Sequence, residues 1–301
     1  MTRNTPRLCF IGFGEAGQAF ASGLRTAGVT TMAAWDILFP DAAGAKLLAA
    51  GDDLGVRLGT SAADAIQGAD IVIAAVTAAS SLTAAEQAKP FLKGNQLYLD
   101  INSVSPGRKQ ATEKHLDGST RYVDVAVMAP VYPAKHQTPV LLAGPHAEAT
   151  LSVMQELGMK PSIAGPSIGQ AAAIKMVRSV MIKGMEALTA ECFLAATRAG
   201  VEPQIMASLS KSFPTLDWKQ IVAYNLERMA NHGTRRAAEM EEVADTLREL
   251  GIDPHMASAT VQRQRQMGAI GKSEAVQDAL EQGGDATLRA VSTALKAERA
   301  H

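Results

Sequence analysis

Lys175 lies in a largely apolar stretch, Ala171 to Met181, with Arg178 and Ser179 three and four residues further on. In a helix that spacing puts all three on one face. A partly desolvated lysine beside a second cation has its charged form disfavoured, which lowers its pKa. A lysine that is neutral near pH 7 can take a hydroxyl proton as hydride leaves a carbinol carbon. In the reverse direction its ammonium protonates the alkoxide. Arg178 could hold a carboxylate or phosphate bidentately. The bland alternative is that Lys175 and Arg178 snorkel to water along a half-exposed helix face.

Hydride chemistry needs a cofactor, because side chains do not supply it. Leu8-Cys9-Phe10-Ile11 is an apolar run, followed by Gly12-Phe13-Gly14-Glu15-Ala16-Gly17 and a helix-like sequence. In this G-x-G-x-x-G order Gly12 permits a tight strand-to-helix turn. Gly14 lets the backbone approach a pyrophosphate, and Gly17 lets the helix pack close to the strand. The helix N-terminus offers unpaired N–H groups to the phosphates. The next strand-like run, Val29 to Trp35, is followed by Asp36, 19 residues after Gly17. A carboxylate there can accept both ribose hydroxyls and repel a 2′-phosphate. Ile37, Leu38 and Phe39 follow rather than an arginine, so NAD is expected over NADP. The competing reading is an ordinary glycine turn in some other α/β protein.

These residues need a scaffold, and the rest of the chain implies one. The first half alternates strand-like and helix-like segments. Asp41 to Ala50 reads as a helix ending at Gly51, and Val56 to Leu58 as a short strand. Ser61 can cap a helix over Ala62 to Gln67, with Asp64 as its capping-box acid. Asp70 to Val76 and Gln96 to Ile101 are near-continuous apolar runs, as in parallel strands covered on both faces. Thr83 to Ala88 reads as a helix between them. Tyr122 to Val127, Val140 to Ala143 and Pro161 to Ala164 read as further strands, and Ala147 to Leu157 as a helix. The order implies a doubly wound, Rossmann-type sheet.

The pattern changes at Gly165-Pro166. Ile168 to Ala199 reads as one helix of roughly 45 Å. Pro203 to Ser210, Thr215 to Met229, Arg235 to Leu250, His255 to Met267 and Ala286 to Arg299 follow as helices. We therefore expect a dinucleotide-binding domain over 1–165 and an all-α substrate and dimerisation domain over 166–301.

The 301 residues are 47% apolar, with a net charge of −1. Such a balance gives no ground for general nucleic-acid or anionic-membrane binding. Cys9 and Cys192 read as two buried thiols in a reducing cytosol. No metal spacing occurs among the cysteines and six histidines. Met1 to Arg7 reads as a polar lead-in rather than a signal peptide, because glycines break the apolar segment after it. No apolar stretch has the length and lack of charge of a membrane span, and a cytoplasmic protein is expected.

With these segments placed, the chain resembles the β-hydroxyacid dehydrogenase superfamily. That group includes 3-hydroxyisobutyrate and 6-phosphogluconate dehydrogenases. The closest likeness is to a phosphogluconate-dehydrogenase-like branch whose C-terminal helical domain is of unknown function. Ile11 to Gly17 is similar to the family's nucleotide fingerprint. Asp100-Ile101-Asn102-Ser103-Val104-Ser105-Pro106 resembles its D-x-S-T-x-x-P loop, which lies beside nicotinamide and substrate. The resemblance implies Asn102, with Val76 and Thr77, as cofactor contacts and Ser103 as a substrate contact.

Tyr122 to Pro130 resembles the substrate motif D-A-P-V-S-G-G from Asp124 to Val127. Its carboxylate-cradling end is replaced by Met128-Ala129-Pro130. Met128 has no hydroxyl and Pro130 no N–H. Gly169 to Lys175 keeps the catalytic motif's lysine, while Arg178 and Ser179 occupy its asparagine positions. The family's C-terminal lysine–aspartate pair corresponds to Ala238 and Glu239, so Arg235 or Arg236 would have to replace the lysine. His136, in the loop after the substrate motif, reads first as a solvated histidine and second as a substrate contact.

The resulting expectation is a cytoplasmic, homodimeric NAD-dependent oxidoreductase acting on a small polar hydroxy acid or sugar acid. Lys175 is its general acid/base, and it has no metal, nucleic-acid or membrane partner. An oxidoisomerase on a branched sugar acid, an imine reductase and a non-catalytic dinucleotide sensor are the alternatives. Imine reductases usually lack the lysine.

Overall fold

The computed structural model describes residues 5–298. Met1–Asn4 and the Arg299 end of the last expected helix lie outside the described residues. The chain divides into two compact units between Met176 and Val177. The expected boundary lies earlier, at Gly165. Residues up to Met176 stay with the first unit, whose Asp124 carboxylate accepts hydrogen bonds from the N–H groups of Gly169, Ala171 and Ala172.

In chain order the first unit holds β1 (Leu8–Ile11), α1 (Glu15–Thr26), β2 (Met32–Trp35), α2 (Ala45–Asp53), β3 (Arg57–Leu58), α3 (Ala62–Ile66) and β4 (Ile71–Ala74). It continues through α4 (Ser81–Ala88), β5 (Leu97–Asp100), α5 (Pro106–Leu116), β6 (Arg121–Val127), β7 (Pro139–Ala143), α6 (Ala147–Glu156) and β8 (Lys160–Gly165). The eight strands form one sheet in the order β3-β2-β1-β4-β5-β6-β7-β8. Strands β1 to β6 are parallel, β7 runs antiparallel to β6, and β8 runs parallel to β7.

Successive side chains on a strand point to opposite faces, and both faces of this sheet are covered. Leu8 and Phe10 join Phe20, Leu24 and Met154 in one core layer. Cys9 and Ile11 join Ile66, Val72 and Tyr98 in the other. That double burial is why β1 and β4 read as unbroken apolar runs. The strand order reverses between β1 and β4, which opens a crevice at their carboxyl ends.

Ser61 caps α3 as expected, its hydroxyl accepting from the Asp64 N–H at 3.2 Å. Gly51 does not end α2, which runs on to Asp53. A Cβ there would overlap the Leu58 side chain, so this glycine serves close packing against β3. Helix α5 was not expected. Its sequence carries few apolar residues, so periodicity gives no signal. It is marked instead by Pro106 at its start and by Ser105, whose hydroxyl accepts from the Arg108 N–H.

Every described element after β8 is a helix: α7 (Gln170–Ala199), α8 (Glu202–Ser212), α9 (Trp218–Glu249), α10 (His255–Ile270), α11 (Glu274–Gln282) and α12 (Gly284–Glu298). Phe193, Leu226, Met229, Met267, Val276 and Val291 centre the core of the second unit. The two helices expected over Thr215–Met229 and Arg235–Leu250 are one, α9. Gly233 at its middle is no terminator: a Cβ there would lie 2.6 Å from the Gly268 nitrogen of α10. Helix α11 was also not expected from the sequence.

Cys9 is buried, and desolvation pushes its thiol up to about 12. Cys192 is exposed, contrary to expectation, because Ala190, Phe193 and Leu194 form the buried face of α7 around it. Among the described residues no helix is long and apolar enough to cross a membrane. Among them no group of three His, Cys, Asp or Glu side chains could hold a metal ion.

Candidate active site

The turn from β1 to α1 shows what each fingerprint glycine does. Gly12 has φ +91°, and a Cβ on it would overlap the Ala75 carbonyl. At Gly17 a Cβ would sit 2.7 Å from the Gly12 oxygen. Gly14 differs, because nothing lies within 4 Å of the Cβ position. Internal packing therefore does not require a glycine there, whereas close approach of a ligand would. Gly14 is also the N-cap of α1 and gives no side-chain cap, which leaves first-turn N–H groups to an anion. Glu15 is exposed and Ala16 half-buried on that turn.

The Phe13 ring is fully buried and packs edge-on to Phe10 and Phe39. Only its backbone faces the turn, and its N–H donates to Asp36 Oδ2 at 2.8 Å. Asp36 Oδ1 accepts from the Leu38 N–H at 3.0 Å. A carboxylate has about four acceptor positions, so each oxygen retains one for a ribose hydroxyl. The turn and carboxylate fit a dinucleotide.

Asn102 is buried, and its amide braces two loops. Its Oδ1 accepts from the Val76 N–H at 2.8 Å, and its Nδ2 donates to Ser81 Oγ at 3.2 Å. Thr77 is exposed and donates to Ser80 Oγ at 3.0 Å. Ser103 follows on the same loop, and Lys175 Nζ donates to its hydroxyl. Loop and helix are thus in direct contact.

Beneath this contact lies an ionic cluster that the sequence reading missed. Lys109 Nζ is 3.0 Å from Asp100 Oδ1 and 3.6 Å from Asp124 Oδ1, with all three side chains buried. Tyr122 donates to Asp100 Oδ2 at 2.7 Å. Burial pushes the Asp124 carboxyl above its usual range, with Lys109 opposing. Lys109 escaped notice because α5 has no apolar stripe to mark an inward face.

The Met128-Ala129-Pro130 segment leaves the sheet at the end of β6. The Met128 N–H is used, donating to the Pro139 carbonyl at 2.9 Å. His136 is buried rather than solvated. Its ring fills the space beside α1 that a Cβ on Gly23 would need, and lies close to Gly158. Desolvation, then the Lys135 charge, lowers its pKa. It is not brought to the Lys175–Ser103 contact.

In the second unit Arg178 is exposed and Ser179 buried. Ser179 accepts from Lys183 Nζ at 3.3 Å, and Lys183 also pairs with Glu239 at 2.9 Å. The lysine partner of Glu239 thus comes from α7 rather than α9. Arg235 pairs with Glu239 as well. Arg236 is buried against Glu186, which also accepts from Gln264 Nε2 at 2.7 Å.

A fingerprint turn at the switch point of a mainly parallel sheet, with a lysine on the helix after the last strand, defines the class. It is that of Rossmann-type dinucleotide-binding folds. Residues 7–104 match the family model of coenzyme F420-dependent NADP oxidoreductases. Residues 196–267 match a domain of unknown function, DUF1932. The chain is 35% identical to a conserved hypothetical protein from Sinorhizobium meliloti 1021, over 96% of this chain and 97% of that one, with TM-score 0.76. It is 30% identical to MTH1747, a conserved protein of unknown function with structural similarity to 3-hydroxyacid dehydrogenases. That match covers 87% of this chain and 97% of the other, with TM-score 0.70. The fold also matches 3-hydroxyisobutyrate dehydrogenase from Mycobacterium tuberculosis at 15% identity, over 97% and 99% of the two chains, with TM-score 0.74. The chain belongs to the family of the first two proteins, and it carries the helical domain of unknown function.

Proposed function

We propose that this is a cytoplasmic NAD-dependent dehydrogenase that interconverts an alcohol and a carbonyl on a small polar hydroxy acid or sugar acid. The carrying observation is the hydrogen bond from Lys175 to Ser103, on the loop that follows β5. Bound NAD would supply the acceptor for the hydride of the carbinol carbon. Lys175 Nζ takes the hydroxyl proton in that direction and returns it in the other. Ser103 orients the substrate oxygen and Asn102 braces the loop. The first-turn N–H groups of α1 would hold the cofactor's pyrophosphate. The Met128-Ala129-Pro130 segment lacks the hydroxyl and the N–H of the superfamily's usual carboxylate cradle, so the acid group would need a different partner. The test is a panel of hydroxy acids, sugar acids and their phosphates, run with NAD and NADP and followed by reduced-cofactor absorbance. NAD binding without turnover on any of them would sink the dehydrogenase reading in favour of a sensor.

The matched family model is named for NADP, whereas Asp36 argues for NAD. Replacing Asp36 by serine is expected to lower kcat/KM for NAD about 10- to 100-fold and to raise it for NADP. A wild type that works better with NADP would overturn the assignment.

We also propose a homodimer formed through the second unit. Support comes from Val177, Met181, Met185 and Leu188, exposed at helical spacing on α7. Sedimentation is expected at twice the chain mass, and at the monomer mass for the double variant Met181→Glu, Leu188→Glu. A monomeric wild type excludes it.

A further inference from the structure

Asp124 lies in the sheet, yet its contacts are with the helix that bears Lys175. Its Oδ2 accepts three backbone N–H groups, from Gly169, Ala171 and Ala172, at 3.0, 3.1 and 3.2 Å. These lie just before and within the first turn of α7, where helical N–H groups have no intrahelical partner. One buried carboxylate thus anchors the start of the helix, and Lys175 stands one turn further on. The Asp124 side chain is fully buried, and its other oxygen faces Lys109.

Lys109 ties this anchor to the opposite side of the site. It donates to the Asp100 carbonyl at 2.5 Å and pairs with the Asp100 carboxylate. That carboxylate accepts from the Asn102 N–H at 3.0 Å, one residue before Ser103. The cluster therefore reaches both partners of the Lys175–Ser103 hydrogen bond through rigid, buried links. Gly169 closes the arrangement, since a Cβ there would lie 3.1 Å from Pro106 at the start of α5.

We propose that Asp124 and Lys109 are positioning residues that hold Lys175 in register with Ser103. The inference deepens the dehydrogenase reading and rests on it for its catalytic meaning. Its geometric content is testable without turnover. A small displacement of a reacting group suppresses the chemical step more than binding. Removing Asp124 should therefore act mainly on kcat.

The experiment uses the full chain as wild type, Asp124→Asn, Asp124→Ala and, as control, the surface variant Asp117→Asn. Three readouts are taken: amide exchange over residues 165–176, pH-dependent labelling of Lys175 by an amine reagent, and kcat and KM on any substrate found. Asp124→Asn keeps a neutral acceptor in place, so it serves where alanine does not fold. Exchange over 165–176 is expected to rise about tenfold in Asp124→Asn and further in Asp124→Ala, with the α1 segment unchanged. The labelling midpoint of Lys175 is expected to move by about one pH unit. Turnover should fall about 10- to 100-fold, with KM changed much less. Unchanged exchange and labelling in both variants would overturn the inference. So would a uniform rise in exchange across the first unit, which marks a purely structural role. A wild type inactive on every substrate would remove the dehydrogenase reading, whereas the exchange and labelling shifts would still support positioning of Lys175.

Discussion

Replacing Lys175 by methionine is expected to lower kcat about 10²- to 10⁴-fold, the usual contribution of a general acid/base. Methionine keeps the reach and apolar stem of lysine but has no proton to give or take. The helix around it should be undisturbed, because its start is fixed by Asp124 and its inward face by Ala171, Ala172 and Met176, all buried. Cofactor binding should therefore survive. Trp35 directly precedes the ribose-binding candidate Asp36 and offers a fluorescence signal for following it. Ser103 loses its hydrogen bond from Nζ, so KM should rise slightly while kcat collapses. Turnover within threefold of wild type would remove Lys175 from the chemistry.

The largest expected effect on stability lies in the second unit. Valine at Gly233 should destabilise it by about 3 kcal/mol or more. A Cβ there meets backbone atoms of α10, with the Gly268 nitrogen at 2.6 Å and its Cα at 2.8 Å. Backbone cannot rotate out of the way as a side chain can, so the two helices must separate. Separation would also pull Gln264 from Glu186, which Arg236 holds from α9. A buried carboxylate that loses a hydrogen-bond donor without replacement adds to the cost. Gly184 is the internal control: nothing lies within 4 Å of its Cβ position. Alanine there should be neutral or stabilise by up to about 1 kcal/mol through helix propensity. Thermal melting of the two variants measures the contrast, and equal melting temperatures would refute the close-crossing argument.

Much of the first unit was legible because its signals are local. An apolar run, three glycines at fixed spacing and a carboxylate after the next strand each reflect a constraint within a few residues. The errors share one cause. Gly51 was read as a helix end, and α9 as two helices on either side of Gly233, but each glycine is a place where another element comes close. His136 was read as solvated because its loop is polar, yet α1 and Gly158 enclose it. Cys192 was read as buried from its apolar neighbours, but an apolar helix with a further exposed face does not bury every position. Helix α5 lacks an apolar stripe and was passed over, and with it Lys109.

The sequence by itself determined the doubly wound sheet, though not the antiparallel β7, together with the fingerprint turn and the lysine-bearing helix, since period, glycine placement and chain order report which faces are covered. Only the tertiary structure decided which charges meet. Lys175 finds Ser103 across 72 residues, Arg236 finds Glu186 across 50, and Asp124 finds the start of α7 across 45 to 48. Buried charges must find partners or shift their ionisation, but that requirement does not name the partner. Pairing depends on how separate elements approach one another, which local pattern does not encode.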